Sequence, residues 1–279
     1  MKQWKLWTLA AIALLASCSS NNGEEPTLNP EPVPVTLTFS PYDVTPMTRA
    51  ATSIADFCTH LDIWLNDGST TTAIHQSSSD ADFGSLSVTL DKTKTYTLTA
   101  VAHRCTTDAT LADGIISFPE DKVTHSMWYT QTFSPATTTT INALMTRIVA
   151  QFHFETTDPI SVACTKFRFT LNSVFDRWNV STGGVHEINR ISTVNITSTH
   201  DDGTAAFNVY AITTDAQTLH TVTVEALDAS DNEIKTRTFT NVPLRNGYKT
   251  SYAGHFFTDA AVTAAFTVDD WSEYDTVTF

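Results

Sequence analysis

Short runs in which apolar and polar residues alternate recur along this chain, and they constrain its fold more than any other feature. Residues 33–39, 61–65, 96–102 and 148–154 each carry an apolar side chain at every second position. Successive side chains of a β-strand point to opposite faces of its sheet, so this period of two is typical of strands with one buried face. No segment has the pattern of a long amphipathic helix. The chain is therefore predicted to be all-β.

Turn signals such as Asn-Asp-Gly at residues 66–68 separate these runs at spacings of about 8–12 residues. Roughly seven strand signals fall in each half of the chain, which is typical of two tandem β-sandwiches. We expect an N-terminal sandwich at residues 33–143 and a C-terminal sandwich at residues 144–279. The runs at 96–102 and 220–227 are candidates for equivalent strands of the two halves.

The N-terminus predicts an exported lipoprotein. Lys2 and Lys5 precede the apolar residues 6–16, the pattern of a secretory signal that is removed from the mature protein. This segment is shorter than the roughly 20 apolar residues that span a bilayer. It ends in Leu-Ala-Ser-Cys, which resembles the lipobox of bacterial lipoproteins and implies a signal peptide at 1–17 and a lipid on Cys18. The alternative is an ordinary secreted protein with a chance cysteine.

The segment after the predicted lipid carries no apolar periodicity. Residues 18–32 contain three prolines and two adjacent glutamates, a composition typical of an extended tether. We therefore expect a lipidated tether that holds the β-sandwiches at a membrane surface.

The chain is acidic, with a formal net charge of −14. Loss of Lys2 and Lys5 with the signal peptide makes the mature protein more acidic still. A surface of this sign repels the phosphate backbone of nucleic acids, so we expect no nucleic-acid partner.

No arrangement of residues indicates catalysis. The chain lacks a Gly-x-Ser-x-Gly elbow, a His-Glu-x-x-His helix and a phosphate-binding glycine loop. Asp201-Asp202 and Asp269-Asp270 could act as paired carboxylates, but both lie beside turn or strand-end signals, where solvated aspartates are usual. His153 lies between Phe152 and Phe154, so we expect it on the opposite strand face as a surface residue. We predict a non-enzymatic protein without a cofactor or a bound metal.

Three cysteines remain once Cys18 is assigned to the lipid. Cys58 precedes one strand signal and Cys105 follows another, so their thiols would meet if the two strands were antiparallel neighbours. An exported protein can oxidise such a pair, and we predict a Cys58–Cys105 disulfide with Cys164 left over. The alternative is two buried free thiols that pack as small apolar side chains.

Four tryptophans are candidates for binding a glycan or a protein, and core packing is the favoured alternative for each of them. Trp64 alternates with Ile63 and Leu65, so we expect it to be the most exposed. The other candidates are Trp128, Trp178 and Trp271.

Several stretches resemble the fimbrillin family of the Bacteroidetes. They are the lipobox, the loop Thr-Arg-Ala at 48–50, the run 145–154 that leads to Asp158-Pro159, and the run 241–250 that leads to Gly254. The resemblance extends over most of the mature chain. The chain is most similar to the anchor-type lipoproteins of that family.

The resemblance implies two transthyretin-like β-sandwiches and export as a surface lipoprotein of the outer membrane. In polymerising fimbrillins an Arg-specific protease removes the first strand, and the vacated groove accepts a strand from a neighbouring subunit. Anchor subunits keep their first strand and their lipid. On this chain, Arg49 and Ala50 match the cleavage position and residues 33–39 match the removable strand.

The C-terminus is a candidate donor for such an exchange. Residues 262–268 alternate as a groove-filling strand requires, with Phe266 among the apolar positions. We therefore predict a cell-surface fimbrial subunit of anchor or accessory type, with other fimbrial subunits and the outer membrane as its partners. The alternative function is a surface lipoprotein that binds a host glycan or a host protein.

Overall fold

The structure is a computed structural model that describes residues 31–42, 53–119, 122–258 and 266–270. A 3-10 helix spans Ile54–Asp56. The strands of the described part are β1 (Pro32–Pro41), β2 (His60–Asn66), β3 (Thr71–Ser77), β4 (Ser85–Asp91), β5 (Tyr96–His103), β6 (Thr110–Ala112), β7 (Ile115–Ser117), β8 (Met127–Phe133), β9 (Thr140–Arg147), β10 (Ala150–Thr156), β11 (Lys166–Asn179), β12 (Gly183–Asn195), β13 (Ala206–Ala211), β14 (Thr218–Leu227), β15 (Glu233–Leu244), β16 (Tyr248–Gly254) and β17 (Phe266–Asp270).

The all-β prediction is confirmed. The predicted signal peptide, Cys18, Arg49, Ala50 and Trp271 lie outside the described residues. Among the residues that the structure describes, no helix has the length and apolar character needed to cross a bilayer.

One sheet dominates the first half of the chain, in the order β3-β2-β5-β8-β9-β1-β4. The pairing between β8 and β9 is short, from Met127↔Arg147 to Trp128↔Thr146. Both ends of the sheet nevertheless contribute to one buried cluster, so the sheet folds over on itself to enclose a core. Leu37 from β1, Leu61 from β2 and Leu98 from β5 are fully buried there.

The second half encloses its own core between two sheets. One has the order β13-β10-β16-β17, and the other has the order β15-β14-β11-β7-β6 with β12 also paired to β11. The core is aromatic: Phe154 of β10 lies within 6 Å of the ring centroids of Phe167, Phe169 and Tyr252.

The two halves repeat one strand topology. The first strand of each half, β1 or β10, pairs in antiparallel fashion with the fourth, β4 or β13, and in parallel fashion with a late strand, β9 or β16. The second strand, β2 or β11, pairs with both the third and the fifth. In this scheme β5 and β14 are equivalent, which are the strands that the sequence suggested.

A third buried cluster joins the halves. It contains Trp64 of β2 and Trp178 of β11, together with Ile148 and Val149 from the link between β9 and β10. The boundary that we predict between residues 143 and 144 falls inside β9, which stays in the first sheet up to Arg147.

A hairpin from the first half also pairs with the second half. β6 and β7 form this hairpin, and β7 pairs with the end of β11 in the register Ile116↔Trp178. The start of β11 pairs instead with β14, and the change follows a bulge after Leu171 at which Ser173 has a φ of 56°. The bulge thus directs the two ends of one strand to different partners.

Candidate strand-exchange site

The first strand enters the fold as an interior strand. The side chains of Val35, Leu37 and Phe39 are 0%, 0% and 3% exposed, and they fill the first core from one face of β1. Thr36 and Thr38 lie on the other face and are exposed. The alternation read from the sequence therefore corresponds to one face, which is buried from Val35 to Phe39 and half-buried at Val33.

Both edges of β1 are hydrogen-bonded. It pairs with β4 from Pro32↔Asp91 to Thr38↔Ser85, and with β9 from Thr36↔Thr140 to Pro41↔Met145. Pro34 lies before the β9 pairing begins, so β1 has a neighbour on only one side at this residue. A proline is tolerated at such a position because it has no N–H to donate.

Removal of β1 would open a groove between β9 and β4. The groove would expose the backbone of both neighbours and the pockets that hold Val35, Leu37 and Phe39. Burial of each such side chain contributes about 1.5–3 kcal/mol. A cut in the chain beyond β1 would therefore leave the strand in place until a competing strand displaced it.

The described chain resumes after β1 at Ser53. Ser53 caps the 3-10 helix, since its Oγ accepts from the Ala55 N–H at 3.2 Å and its own N–H donates to Asp56 Oδ2 at 3.1 Å. Ile54 of that helix is buried in the first core. The predicted cleavage position, Arg49–Ala50, lies in the connection of residues 43–52, outside the described residues.

At the other end of the chain, β17 pairs with β16 in its own half. The antiparallel register runs from Tyr248↔Asp270 to Tyr252↔Phe266, and β17 forms the edge of its sheet. To act as a donor, the C-terminal run would first have to leave β16.

Asp158 binds the segment that follows β16 and leads towards β17. Its carboxylate accepts the N–H groups of Phe256, Phe257 and Thr258 at 2.6, 2.8 and 2.8 Å. Burial opposes ionisation of Asp158, but these hydrogen bonds outweigh it and hold the pKa of the carboxyl below its usual value. Asp158 follows β10, so it fixes the end of β10 to the segment that follows β16.

These features accompany a match to a known family. Residues 122–276 match the family of unknown function DUF6562. The chain belongs to this family. No curated protein matches it.

Solved structures resemble this DUF6562 member over nearly their whole length. A candidate adhesin from Bacteroides thetaiotaomicron has a TM-score of 0.53 at 10% identity, covering 88% of this chain and 98% of its own. A candidate polysaccharide-binding protein of the same species has a TM-score of 0.52 at 10% identity, covering 85% and 96%. The fimbrial anchor protein Mfa2 from Porphyromonas gingivalis has a TM-score of 0.47 at 12% identity, covering 86% and 98%. The predicted resemblance to surface proteins of the Bacteroidetes is confirmed at the level of fold by the candidate adhesin and the candidate polysaccharide-binding protein.

The tryptophans of this DUF6562 chain do not form a surface platform in the described part. Trp64 and Trp178 are each 5% exposed, and Trp128 packs against Trp178 with ring centroids 5.5 Å apart. The expectation that Trp64 is the most exposed was wrong, because the second half covers the outer face of β2. Core packing, the favoured alternative, is confirmed for these three residues.

The two cysteines of the predicted disulfide lie at the same end of neighbouring strands. β2 and β5 are antiparallel, with His60 opposite His103, as the prediction requires. In the structure, however, both thiols are free and point to different carbonyls: Cys58 Sγ lies 3.8 Å from His125 O, and Cys105 Sγ lies 3.3 Å from Lys122 O.

Burial raises the pKa of Cys58 to about 12, so its thiol stays protonated. Both thiols are free in this structure, and the disulfide stays a prediction for the exported, oxidised protein. Non-reducing peptide mapping of that protein tests it, and free thiols at Cys58 and Cys105 would contradict it.

The histidine and one of the aspartates that the sequence analysis considered as functional candidates have local structural partners. His153 Nδ1 lies 2.7 Å from Asn208 Oδ1 on the strand face opposite Phe152 and Phe154. Asp202 Oδ1 accepts from the N–H and the Oγ1 hydroxyl of Thr204, at 3.0 and 2.6 Å, which closes a turn. The side chains of Asp269 and Asp270 lie outside the described part.

One polar cluster was missed at the sequence level. Asp62 of β2 is fully buried and contacts both His75 of β3 and His103 of β5. These residues are 13 and 41 positions from Asp62 along the chain. The cluster could not be recognised in the sequence, because strand pairing brings these residues together. β2 pairs with β3 in the register Asp62↔His75 and with β5 on its other side.

Proposed function

We propose that this protein is a non-enzymatic cell-surface fimbrial subunit, of anchor or accessory type, that assembles by strand exchange at the β1 groove and contributes to adhesion. The observation that carries the proposal is the position of β1. It is an N-terminal segment that is hydrogen-bonded on both edges and fills a core with alternate side chains. An extended strand from another chain could make the same bonds and fill the same pockets.

The chain offers both parts that an exchange needs. A cut at Arg49–Ala50 would make β1 a separate peptide that is held by non-covalent contacts alone. The C-terminal run of residues 262–279 would supply the incoming strand of a second subunit, after it leaves β16.

The fate of Arg49 decides between two roles. If Arg49 is cut, the lipid on Cys18 departs with residues 18–49, and the subunit polymerises. If Arg49 stays intact, the lipid anchors the subunit in the outer membrane with β1 in its groove. Two or three acyl chains suffice for stable anchoring.

The first test is the N-terminus of the mature protein from cells, measured by mass spectrometry. We expect a lipidated Cys18 for an anchor and Ala50 for a polymerising subunit. Cys18→Ala should release the protein from membranes or stall its processing. If the mature mass and the membrane partition of that variant were unchanged, the lipoprotein assignment would be wrong.

Limited trypsin treatment of the purified protein tests the accessibility of the connection. We expect a cut after Arg49 that leaves a compact product from Ala50 onward, and no such cut in Arg49→Gln. Lys94→Gln is the matched control and should not change the cut after Arg49. Lys94 lies in the turn between β4 and β5 and is paired with Asp67 of the turn between β2 and β3. Resistance of Arg49 in the folded protein counts against the proposal.

Exchange itself can be followed with a labelled peptide of residues 31–42. We expect the peptide to enter trypsin-cut protein and to stay bound through gel filtration. The same peptide carrying Leu37→Asp should not enter, because it would bury a carboxylate in the first core. Equal uptake of both peptides would contradict a groove that selects the apolar face.

The donor is tested on the C-terminal run. Phe266→Asp should impair assembly into fibres more than it impairs export. Thr267→Asp is the matched control, since consecutive strand residues face opposite sides. If a chain that lacks residues 262–279 still assembles, another segment is the donor.

The alternative function is binding of a host glycan or a host protein. One of the similar structures is a candidate polysaccharide-binding protein. Among the described residues, burial of Trp64 and Trp178 removes both from any exposed aromatic platform that would favour that function. Monomeric protein that binds a glycan array would reverse the preference.

A further inference from the structure

Three side chains with metal-ligating atoms converge beside the edge strand of the first sheet. They are Asp62 of β2, His75 of β3 and Asp108 of the connection between β5 and β6. His75 Nδ1 lies 2.7 Å from Asp62 Oδ1 and 3.7 Å from Asp108 Oδ2. One ligand atom from each of the three residues lies within 4.8 Å of the other two.

Asp62 is held in place by a second layer of hydrogen bonds. Its Oδ2 lies 2.8 Å from His103 Nε2 and accepts the Ala109 N–H at 2.7 Å. His103 Nδ1 in turn accepts the Cys105 N–H at 3.1 Å, which leaves Nε2 as the donor to Asp62. Oδ1 is therefore the oxygen that Asp62 presents to His75.

The carboxylate of Asp62 is fully buried, and both of its oxygens have partners. One oxygen is hydrogen-bonded by His103 and Ala109, and the other faces His75. Such outer hydrogen bonds orient the ligating carboxylates of metal sites.

We propose that Asp62, His75 and Asp108 form a binding site for a divalent transition-metal ion, with Zn²⁺ as the best fit. One imidazole nitrogen and two carboxylate oxygens match the preferences of Zn²⁺. Ca²⁺ takes six to eight oxygen ligands, which this site does not offer. Three protein ligands leave a coordination position for water.

The distances suit a tetrahedral ion after small adjustments. Zn²⁺ binds such ligands at about 2.0–2.2 Å, which puts the donor atoms of a tetrahedral site roughly 3.3–3.6 Å apart. The observed separations of 2.7 and 3.7 Å lie on either side of this value. The side chains of His75 and Asp108 are 39% and 52% exposed and can adjust, whereas Asp62 is fixed. The ion would replace the proton of the hydrogen bond between His75 and Asp62, and that proton would pass to solvent.

A bound ion would link parts of the chain that are distant in sequence. It would tie the edge strand β3 and the connection at Asp108 to β2, which lies inside the sheet. That connection leads directly into the β6–β7 hairpin, which pairs with β11 of the second half. The site does not depend on strand exchange at β1.

Calorimetric titration of Zn²⁺ into the untagged full chain tests the site, with the thermal unfolding midpoint as a second readout. We expect one ion per chain and a higher midpoint with Zn²⁺ than without it. His75→Ala and Asp108→Asn should each weaken binding at least tenfold and abolish the shift. Both substitutions lie at the surface, so the variants should fold, unlike Asp62→Asn.

His186→Ala is the matched control. His186 Nδ1 lies 2.9 Å from Asp176 Oδ1, but Arg177 is near that carboxylate, at 3.8 Å. This variant should bind Zn²⁺ as the unaltered protein does. Co²⁺ should give the visible absorption of a low-coordinate site, and Ca²⁺ should raise the midpoint less than Zn²⁺. Absence of binding, or binding that survives in both His75→Ala and Asp108→Asn, overturns the proposal.

Discussion

The first strands of the two halves, β1 and β10, occupy the same place in the topology but are held there differently. Each pairs in antiparallel fashion with the fourth strand of its half and in parallel fashion with a late strand, β9 for β1 and β16 for β10. Each sends alternate side chains into a core. β10, however, follows β9 after a link of two residues and is fixed at its far end by Asp158. β1 is joined to the rest of its sheet through the connection of residues 43–52.

β1 and β10 are paired with their neighbours in the same way but are linked to the rest of the chain differently. Strand pairing alone would make both strands equally hard to replace. A short covalent link keeps the local concentration of β10 high, so a competing strand cannot displace it. A cut in residues 43–52 would end the high local concentration of β1. A strand from another chain could then compete with β1 for the same groove. Exchangeability is thus a property of the connection rather than of the sheet.

The largest expected effect comes from the β10 core. Phe154→Ala should lower the free energy of unfolding by about 3–5 kcal/mol, because Phe154 is fully buried among aromatic rings. Denaturant unfolding measures this loss, and an added peptide of residues 150–156 should not reverse it. If that peptide restored the stability, β10 would be as exchangeable as β1 is proposed to be.

The corresponding change in β1 should cost less and should be reversible. Leu37→Ala removes a fully buried side chain, at about 2–5 kcal/mol. After cleavage at Arg49, an excess of the unaltered peptide of residues 31–42 should restore the stability. Thr36→Ala, on the exposed face, should stay within about 0.5 kcal/mol. A loss of stability in the cut Leu37→Ala protein that the peptide cannot restore would place β1 in the same class as β10.

A smaller effect is expected at the clamp that follows β10. Asp158→Asn weakens three hydrogen bonds from buried or half-buried N–H groups, at about 1–3 kcal/mol. The native pKa of Asp158 is lowered, and the unfolded value is about 3.9. The stabilisation is therefore complete above about pH 5 and is lost as the pH falls below about 4 towards the native pKa.

Unfolding measured from pH 7 to pH 3 checks this dependence. The Asn variant should lose less stability than the unaltered protein over the acidic part of the range. Asp201→Asn is the control, since Asp201 is exposed in the turn that follows His200. An equal response in both variants would mean that the clamp does not fix the end of β10.

The sequence predicted the strands but not what covers them. Alternation at residues 33–39 and 148–154 identified β1 and β10, since a period of two reports which residues share a face. It does not report which element covers the second face, and for that reason the burial of Trp64 was missed. Pairings between distant residues, such as Ile116↔Trp178 and Asp62↔His75, depend on tertiary register. Those pairings create the hairpin bridge and the polar cluster, so neither was predictable from local pattern.

The β6–β7 hairpin has a mechanical consequence for the way force passes between the two halves. Force applied to one half can reach the other through the covalent link at Ile148–Val149, and also through the bonds between β7 and β11. Two separate attachments restrict rotation of the halves about the link, whereas a single linker would let them swing freely. Under tension the two halves should therefore move as one rigid unit. They should separate only when the hairpin is sheared from β11.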